Sequence, residues 1–252
     1  MTDTGTHHGR IALVTGGNKG IGQQIVQQLA ELGMTVYLGA RQSDLGVKAA
    51  EELRGRGLDV RPLHLDVTDQ GIVEAAAAYL AGQHGRLDVL VNNAGISGDI
   101  TKQAPTAPDL DIVRAVYETN FFGPLRVTSA TAALLRAAPA ARVVNVTSSL
   151  GSLTAMSAPG SPLAALPPSA AYVTSKTALN SLTVQLAKDL RGDGVLVNAA
   201  DPGACDTDFT RGTPFKAPRT AAQGAAVAVR LATLGPDGPT GGAFNEDGQL
   251  PW

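Results

Sequence analysis

The sequence predicts an α/β fold, one doubly wound domain on a seven-stranded parallel sheet, and three observations point to it. Short apolar runs alternate with longer segments of helical period from one end of the chain to the other. The short runs are apolar at consecutive positions, as strands covered by helices on both faces are. Glycine is abundant, at 29 of 252 residues, whereas aromatic residues make up only 4%, which suits tight βα turns and close helix–sheet packing better than a β-sandwich core.

In chain order the strands are IALVT, TVYLGA, VRPLHL, LDVLVN, RVVNVT, VLVNAA and GAFNED. Between them, apolar residues three and four apart predict helices over about 21–32, 44–56, 69–84, 110–138, 172–191 and 220–234. Repeated βαβ units of this kind pair in parallel through right-handed crossovers. No shift of composition divides the chain, so residues 1–252 read as a single domain. Three Pro- and Gly-rich stretches, at about 96–109, 152–170 and 208–219, each follow a strand directly. They are expected at the carboxyl edge of the sheet, where open α/β folds place ligands, and are read as walls of a substrate pocket.

Composition narrows the function. Twenty Lys and Arg against 22 Asp and Glu give a net charge of −2 without a basic cluster, so no nucleic-acid partner is expected. Cys205 is the single cysteine, which excludes an intramolecular disulfide, and His7, His8, His64 and His84 are scattered, so no metal site is expected. No run of about eighteen apolar residues occurs and the opening MTDTGTHHGR is polar, which reads as a soluble, cytoplasmic chain without a membrane partner. The triplet Asn145-Val146-Thr147 falls inside an apolar strand and is expected to stay unglycosylated.

Between the first strand and the first helix stands Thr15-Gly16-Gly17-Asn18-Lys19-Gly20-Ile21-Gly22. Glycines here allow a tight turn and close backbone approach, so a pyrophosphate can rest on the N–H groups and positive dipole end of the helix. A Walker-type loop is disfavoured, because Gly20 is followed by Ile21 and no GK[ST] occurs. The residue ending the second strand selects the dinucleotide: an acid suits the ribose hydroxyl of NAD, a basic residue the extra phosphate of NADP. Here it is Arg41, with Lys19 as a second positive charge, while Asp44 comes too late to serve as the acid.

After the fourth strand comes Asn92-Asn93-Ala94-Gly95; further on stand Asn120 in TNFFG, Ser148 in VNVTSSLG, and Tyr172 with Lys176 in AYVTSK. Tyr172 and Lys176 are one helical turn apart and share a face. A free phenol titrates near about 10. A neighbouring ammonium and an oxidised nicotinamide favour the phenolate, so Tyr172 is expected to be lowered. Ser148 is placed to donate to a carbonyl oxygen that gains negative charge during hydride transfer.

Together these motifs resemble the short-chain dehydrogenase/reductase family, a Rossmann-type family, over nearly the whole chain and in the right order. GGNKGIG, LGAR, NNAGI, TNFFG, RVVNVTSS and GAFNEDGQLPW look most like its NADPH-dependent carbonyl reductase branch. The resemblance implies NADP(H) as cofactor, a small-molecule carbonyl or alcohol substrate, and a catalytic tetrad of Asn120, Ser148, Tyr172 and Lys176. Tyr172 protonates the carbonyl oxygen, Ser148 holds it, Lys176 binds the nicotinamide ribose and lowers Tyr172, and Asn120 holds a water that links Lys176 to solvent. Gly16, Asn18, Lys19, Gly20, Ile21, Gly22 and Arg41 are implied to hold the cofactor. So are Asp66, Val67, Asn93, Ala94, Gly95, Tyr172, Lys176, Pro202, Gly203 and Thr207. Tyr172 and Lys176 argue against a catalytically silent NADP(H) sensor, and the short stretch after Thr220 leaves no room for the extra domain of a nucleotide-sugar epimerase or dehydratase.

Two departures stand out, Asp201 before Pro-Gly and Asp206 before Thr207. These acids either select a polar or cationic substrate or are solvated and irrelevant. Thr147, Ser148 and Ser149 all carry hydroxyls, and counting from the buried Asn145 favours Ser148. Leu153, Met156, Leu163, Leu166 and Phe215 suggest a moderately large apolar substrate. The Ser148–Tyr172 interval is longer than in many members of the family, and its extra SAPGSPLAALPP is expected to cover helix faces that others use for pairing. A monomer is therefore favoured over a homodimer or homotetramer.

Overall fold

A computed structural model describes residues 7–210 and 217–252. Strands β1 (Ile11–Thr15), β2 (Thr35–Ala40), β3 (Val60–His64), β4 (Val89–Asn92), β5 (Arg142–Val146), β6 (Leu196–Ala200), β7 (Ala243–Phe244) and β8 (Gln249–Leu250) form one sheet in the order β3-β2-β1-β4-β5-β6-β7-β8. Every pair is parallel except the last. The seven expected strands are present, and the eighth is an antiparallel addition. GAFNED pairs only through Ala243 and Phe244, and Asn245–Gly248 then turn the chain back, with Asn245 N–H donating to the Gly248 carbonyl at 2.9 Å.

The inner strands are apolar at consecutive positions because alternate residues feed two separate cores, whereas the edge strand β3 is only partly buried. On one face Ala12, Val14, Val36, Leu38, Val91 and Val144 pack against α1 (Gly20–Glu31), α2 (Ser43–Arg54) and α8 (Ala221–Ala232). On the other, Leu13, Tyr37, Leu90, Val143 and Val197 meet α3 (Gln70–His84), α5 (Gly123–Ala137) and α7 (Tyr172–Asp189). Local chemistry sets several ends: Asp69 accepts the Ile72 N–H at 2.9 Å to open α3, and Thr220 with Gln223 forms a reciprocal capping box on α8.

The single helix expected over 110–138 is broken. α4 (Leu110–Tyr117) passes into a widened, π-helical turn over Glu118–Phe122 before α5 begins. Pro124 has no N–H to offer the carbonyl four residues earlier, that of Asn120, and its ring crowds that carbonyl. The widened turn accommodates both problems and rotates Asn120 inward, leaving it 1% exposed.

The segment before α7 contains the short helix α6 (Leu153–Ser157) and a 3₁₀ turn over Pro162–Ala165. Gln103, fully buried in the 96–109 loop, clasps this segment to the fold. Its Oε1 accepts from Ser169 Oγ at 2.6 Å and from the Tyr172 N–H at 3.1 Å, its Nε2 donates to the Ser97 carbonyl at 2.6 Å, and its own carbonyl accepts from Ala170 N–H at 2.8 Å. Ala171 at the cap position of α7 has no side chain that can cap it, so Gln103 takes the Tyr172 N–H from outside, while Ser169 Oγ accepts the Val173 N–H at 3.4 Å. Gln103→Ala strands the Tyr172 N–H and the Ser97 carbonyl, and is expected to cost about 1–3 kcal/mol. The measurement is the midpoint of urea unfolding, and a midpoint equal to that of the wild type would mean the clasp carries no net energy.

Candidate active site

The strand order reverses between β1 and β4, and the chain ends leaving these two strands form the floor of the site. Gly16 turns the chain out of β1 at φ 62°, a value that side chains rarely adopt. A β-carbon on Gly22 would collide with the Gly16 carbonyl and with Asn93 Nδ2, so only glycine lets α1 start this close to the turn. Asn93 ties the two strand ends: its Nδ2 donates to the carbonyls of Thr15 at 2.9 Å and Gly16 at 3.1 Å, while Thr15 Oγ1 accepts the N–H groups of Asn93 and Ala94. Asn92, beneath it, donates to Asn145 Oδ1 at 2.8 Å, and Asn145 donates to Thr183 Oγ1 at 2.9 Å, linking β4, β5 and α7 through a buried polar chain.

The N-terminus of α1 carries no side-chain cap, because Lys19 stands at the cap position. Gly20 opens the helix beside the methyl group of Thr207, while Asn18 and Ile21 flank it half-buried. Lys19, expected to add charge toward a phosphate, pairs with Asp208 at 3.3 Å, and both side chains remain well exposed. Arg41 lies exposed at the end of β2. Near it, burial works against the Asp66 carboxylate, but hydrogen bonds from Thr68 and the charges of Arg41 and His64 prevail and hold it below the usual carboxylate range. Val67 is buried against Gly123, and its carbonyl accepts from Arg126.

Across the reversal, α7 carries Tyr172 and Lys176 toward the end of β5. Lys176 Nζ donates to the Val146 carbonyl at 2.8 Å and stands 5.7 Å from the centre of the Tyr172 ring. The three neighbouring hydroxyls go three ways. Thr147 Oγ1 donates to Asn180 Oδ1 at 2.6 Å, while Ser149 lies on the Asp201 side and Ser148 on the Tyr172 side, where each favours the charged form of its neighbour. Asn120 reaches the same place from the widened turn: its amide exchanges two hydrogen bonds of 2.9 Å with the Ile96 backbone and donates to Ser175 Oγ at 3.1 Å. Gly95 lies between, where a β-carbon would stand 3.3 Å from Asn120 Oδ1 and 3.7 Å from Lys176 Nζ.

The electrostatics depart from the expectation for Tyr172. Burial pushes its phenol up, the charge of Asp201 pushes in the same direction, and the Ser148 hydrogen bond opposes them only in part. Burial also lowers Lys176 to about 8, against the pull of Asp201. In the protein alone, desolvation outweighs the neighbouring ammonium that was expected to favour the phenolate.

Of the two readings of Asp201, the solvated one fails: it is 5% exposed, its Oδ1 accepts from the Gly203 N–H at 3.0 Å, and burial raises it above the usual carboxylate range. Asp206 is exposed. Pro202 and Gly203 follow directly, and Cys205 bridges back to Arg219. Of the apolar residues read as pocket walls, Leu153 is two-thirds exposed, Met156, Leu163 and Leu166 are half-buried, and Phe215 lies outside the described residues, as does part of the 208–219 stretch. Phe209 is the aromatic residue that packs on Tyr172, with ring centres 5.5 Å apart, and neither it nor Gln103 carried a signal in the sequence. A surface cleft of about 320 Å³ lies away from these groups, between Arg219, Gln223, Arg230 and Glu246. Among the described residues no cluster of metal-ligating side chains occurs, and no helix is long and apolar enough to cross a membrane.

Comparison with known proteins agrees with this architecture. The family profile described as short chain dehydrogenase matches residues 10–216. A short-chain dehydrogenase of Penicillium roqueforti, anuI, is 35% identical over 89% of each chain. Human carbonyl reductase [NADPH] 1 is 34% identical, covering 96% of this chain and 98% of its own. Among solved structures, the NADPH-bound carbonyl reductase from chicken fatty liver superposes with a TM-score of 0.83 at 27% identity, over 97% of this chain and 100% of that one. A profile match over most of the chain, together with relatives above 30% identity along nearly their full length, means that the chain belongs to the short-chain dehydrogenase/reductase family of oxidoreductases.

Proposed function

We propose that the protein is an NADPH-dependent carbonyl reductase, exchanging hydride between NADP(H) and a ketone or aldehyde, with Tyr172 as the proton donor. The observation that carries this reading is the Lys176 ammonium, held on the Val146 carbonyl and 5.7 Å from the centre of the Tyr172 ring one turn back on the same helix, beside the glycine turn at the strand reversal. Tyr172 and Lys176 one turn apart have no purpose in a silent dinucleotide sensor.

The residues fit a dinucleotide. The uncapped start of α1 offers N–H groups and a dipole end to a pyrophosphate, and Gly16, Gly20 and Gly22 keep side chains out of its way. Asp66 and Val67 flank the adenine side, with Asn93, Ala94 and Gly95 below. Pro202, Gly203 and Thr207 would hold it from the opposite loop, and Arg41, exposed at the end of β2, would take the ribose phosphate that distinguishes NADP from NAD. When bound, NADPH supplies the hydride.

This chain's own residues do the rest. Ser148 and Tyr172 present two hydroxyls to the same substrate oxygen, so the oxygen is held as it gains charge and receives the phenolic proton. Lys176, its ammonium 5.7 Å from the centre of the Tyr172 ring, would bind the ribose hydroxyls. Asn120 closes the route behind Lys176, its side chain fixed by Ile96 and Ser175. Reduction needs Tyr172 protonated, and both burial and Asp201 favour that state.

Three outcomes test this reading. Decay of NADPH absorbance with a panel of ketones and aldehydes is expected for the wild type, and Tyr172→Phe is expected to lower kcat by roughly 10²- to 10⁴-fold with NADPH affinity nearly unchanged. A loss below tenfold removes Tyr172 from the donor role. Arg41→Asp should raise the KM for NADPH and favour NADH, whereas a wild type that uses both coenzymes equally well defeats the assignment of Arg41. Because the phenol is pushed up, reduction should persist through neutral pH and decline only on the alkaline side, while oxidation of the product alcohol rises with pH. A reduction rate that already falls between pH 6 and 7 contradicts this order.

A further inference from the structure

Tyr172 is the first residue of α7, and the first turn of a helix is where backbone N–H groups lack intrahelical acceptors and the chain frays. A proton donor placed there needs support from outside the helix if its hydroxyl is to stay within about half an ångström of its working position. Both backbone polar groups of this residue are taken by buried side chains. The Tyr172 N–H donates to Gln103 Oε1 at 3.1 Å, and the Tyr172 carbonyl accepts from Ser175 Oγ at 2.7 Å.

The two supports are joined behind Tyr172. Gln103 Nε2 donates to the Ser97 carbonyl at 2.6 Å, and Ser97 follows Ile96 in the chain. Ile96 exchanges two hydrogen bonds of 2.9 Å with the Asn120 amide, and Asn120 Nδ2 donates onward to Ser175 Oγ at 3.1 Å. The path returns to Tyr172, which makes a closed ring of hydrogen bonds through the 96–109 loop, the widened turn and α7. Gln103, Asn120 and Ser175 are all buried, so the side-chain links are shielded from competing water. The loop that closes the ring is itself fixed. Gly98 has φ 67°, and a β-carbon there would stand 2.8 Å from Ile112 Cγ2, 2.9 Å from Val116 Cγ2 and 3.1 Å from Gln103 Nε2, so the loop lies directly on α4.

Resting on the donor role of Tyr172, we propose that Gln103 and Ser175 are positioning residues that close this ring, and that the closed ring holds the phenol in line with the substrate oxygen during hydride transfer. Each acts through the Tyr172 backbone rather than on the substrate. A ring loses its constraint when cut at any one place, so a second cut adds little, whereas two separate tethers would lose their effects independently.

The test is a double-mutant cycle on kcat for carbonyl reduction with Gln103→Ala, Ser175→Ala and the double variant, beside NADPH affinity from fluorescence titration. Each single variant is expected to lower kcat by roughly 10- to 100-fold, the range in which a misplacement of about 1 Å acts, with the NADPH dissociation constant within about twofold of the wild type. The double variant is expected to stay within about threefold of the worse single one. Asp88→Ala is the control for lost stability: it strands the Ile11 N–H, which donates to Asp88 Oδ2 at 2.8 Å at the opposite, amino edge of the sheet, and is expected to keep the wild-type kcat. Single variants that keep kcat near the wild-type value, or a double variant whose loss is the product of the two, overturn the ring. So does an NADPH affinity that falls as far as kcat, or an equal loss of kcat in Asp88→Ala. Should Gln103→Ala not fold by circular dichroism, Ser175→Ala decides by whether kcat falls at unchanged NADPH affinity. If the wild type reduces no carbonyl compound, or Tyr172→Phe keeps the wild-type rate, the donor reading fails and the proposal falls with it. A wild type that depends on Tyr172 but not on Gln103 or Ser175 defeats the ring alone.

Discussion

The burial of one ammonium group organises the chemical half of this molecule. Lys176 is 5% exposed, and a charge taken out of water at that depth is costly unless polar partners surround it. The Val146 carbonyl is its direct acceptor, made available because β5 ends there and the strand ladder no longer requires it. Close packing then holds the helix that carries the lysine. A β-carbon on Gly151 would stand 2.8 Å from the Lys176 carbonyl carbon, so the turn after β5 lies directly on the α7 backbone. Tyr172, Ser148 and Asn120 are placed by that same contact, since each hangs from an element that touches either α7 or this turn.

A buried polar site at the end of central strands also needs a polar foundation. The apolar strand interiors give way at one level of the sheet to Asn92 and Asn145, with Thr128 and Thr183 supplied by the helices on that face. Unpaired, such groups would each cost on the order of 1–3 kcal/mol, so the pairing of Asn92 Nδ2 and of both ends of the Asn145 amide specifies the register of β4 against β5, although Asn92 Oδ1 itself is left without a partner. Asn93 does the same one residue later for β1 and β4. The catalytic end and the glycine turn are therefore coupled through side-chain amides of adjacent residues, and neither depends on a flexible loop.

Much of this was legible in the sequence because two simple periods carry it. The two-sided apolar strands and the 3.6-residue helices appear within a residue or two of their expected bounds, and Tyr172 and Lys176 share a helix face as their spacing requires. What escaped has physical reasons. The widened turn around Asn120 keeps apolar Phe121 and Phe122 in approximate helical phase, so periodicity does not show the break; the only local sign is Gly123-Pro124. The strand β8 has two residues, too few for any alternation. Gln103 sits between Lys102 and Ala104 in a polar loop, and its burial is decided by the distant residues Ser97, Ser169 and Tyr172. The solvated reading of Asp201 followed from its charge alone, whereas its position after five buried residues of β6 keeps it out of water.

The positions of the acids follow from the same geometry. A strand that ends in a fully covered sheet delivers its next residue into the interior before the chain can turn away, and the Pro202-Gly203 turn comes one residue too late to expose Asp201. Five residues on, Asp206 is already exposed, and Asp208 reaches Lys19 across the glycine turn. One loop thus places a carboxylate beneath the hydroxyl pair and another beside the start of α1. The first acts in a medium where charge is poorly screened, the second in water, where an exposed pair contributes little energy. Their unequal surroundings, rather than their shared chemistry, separate a carboxylate held inside the fold from one that pairs in solvent.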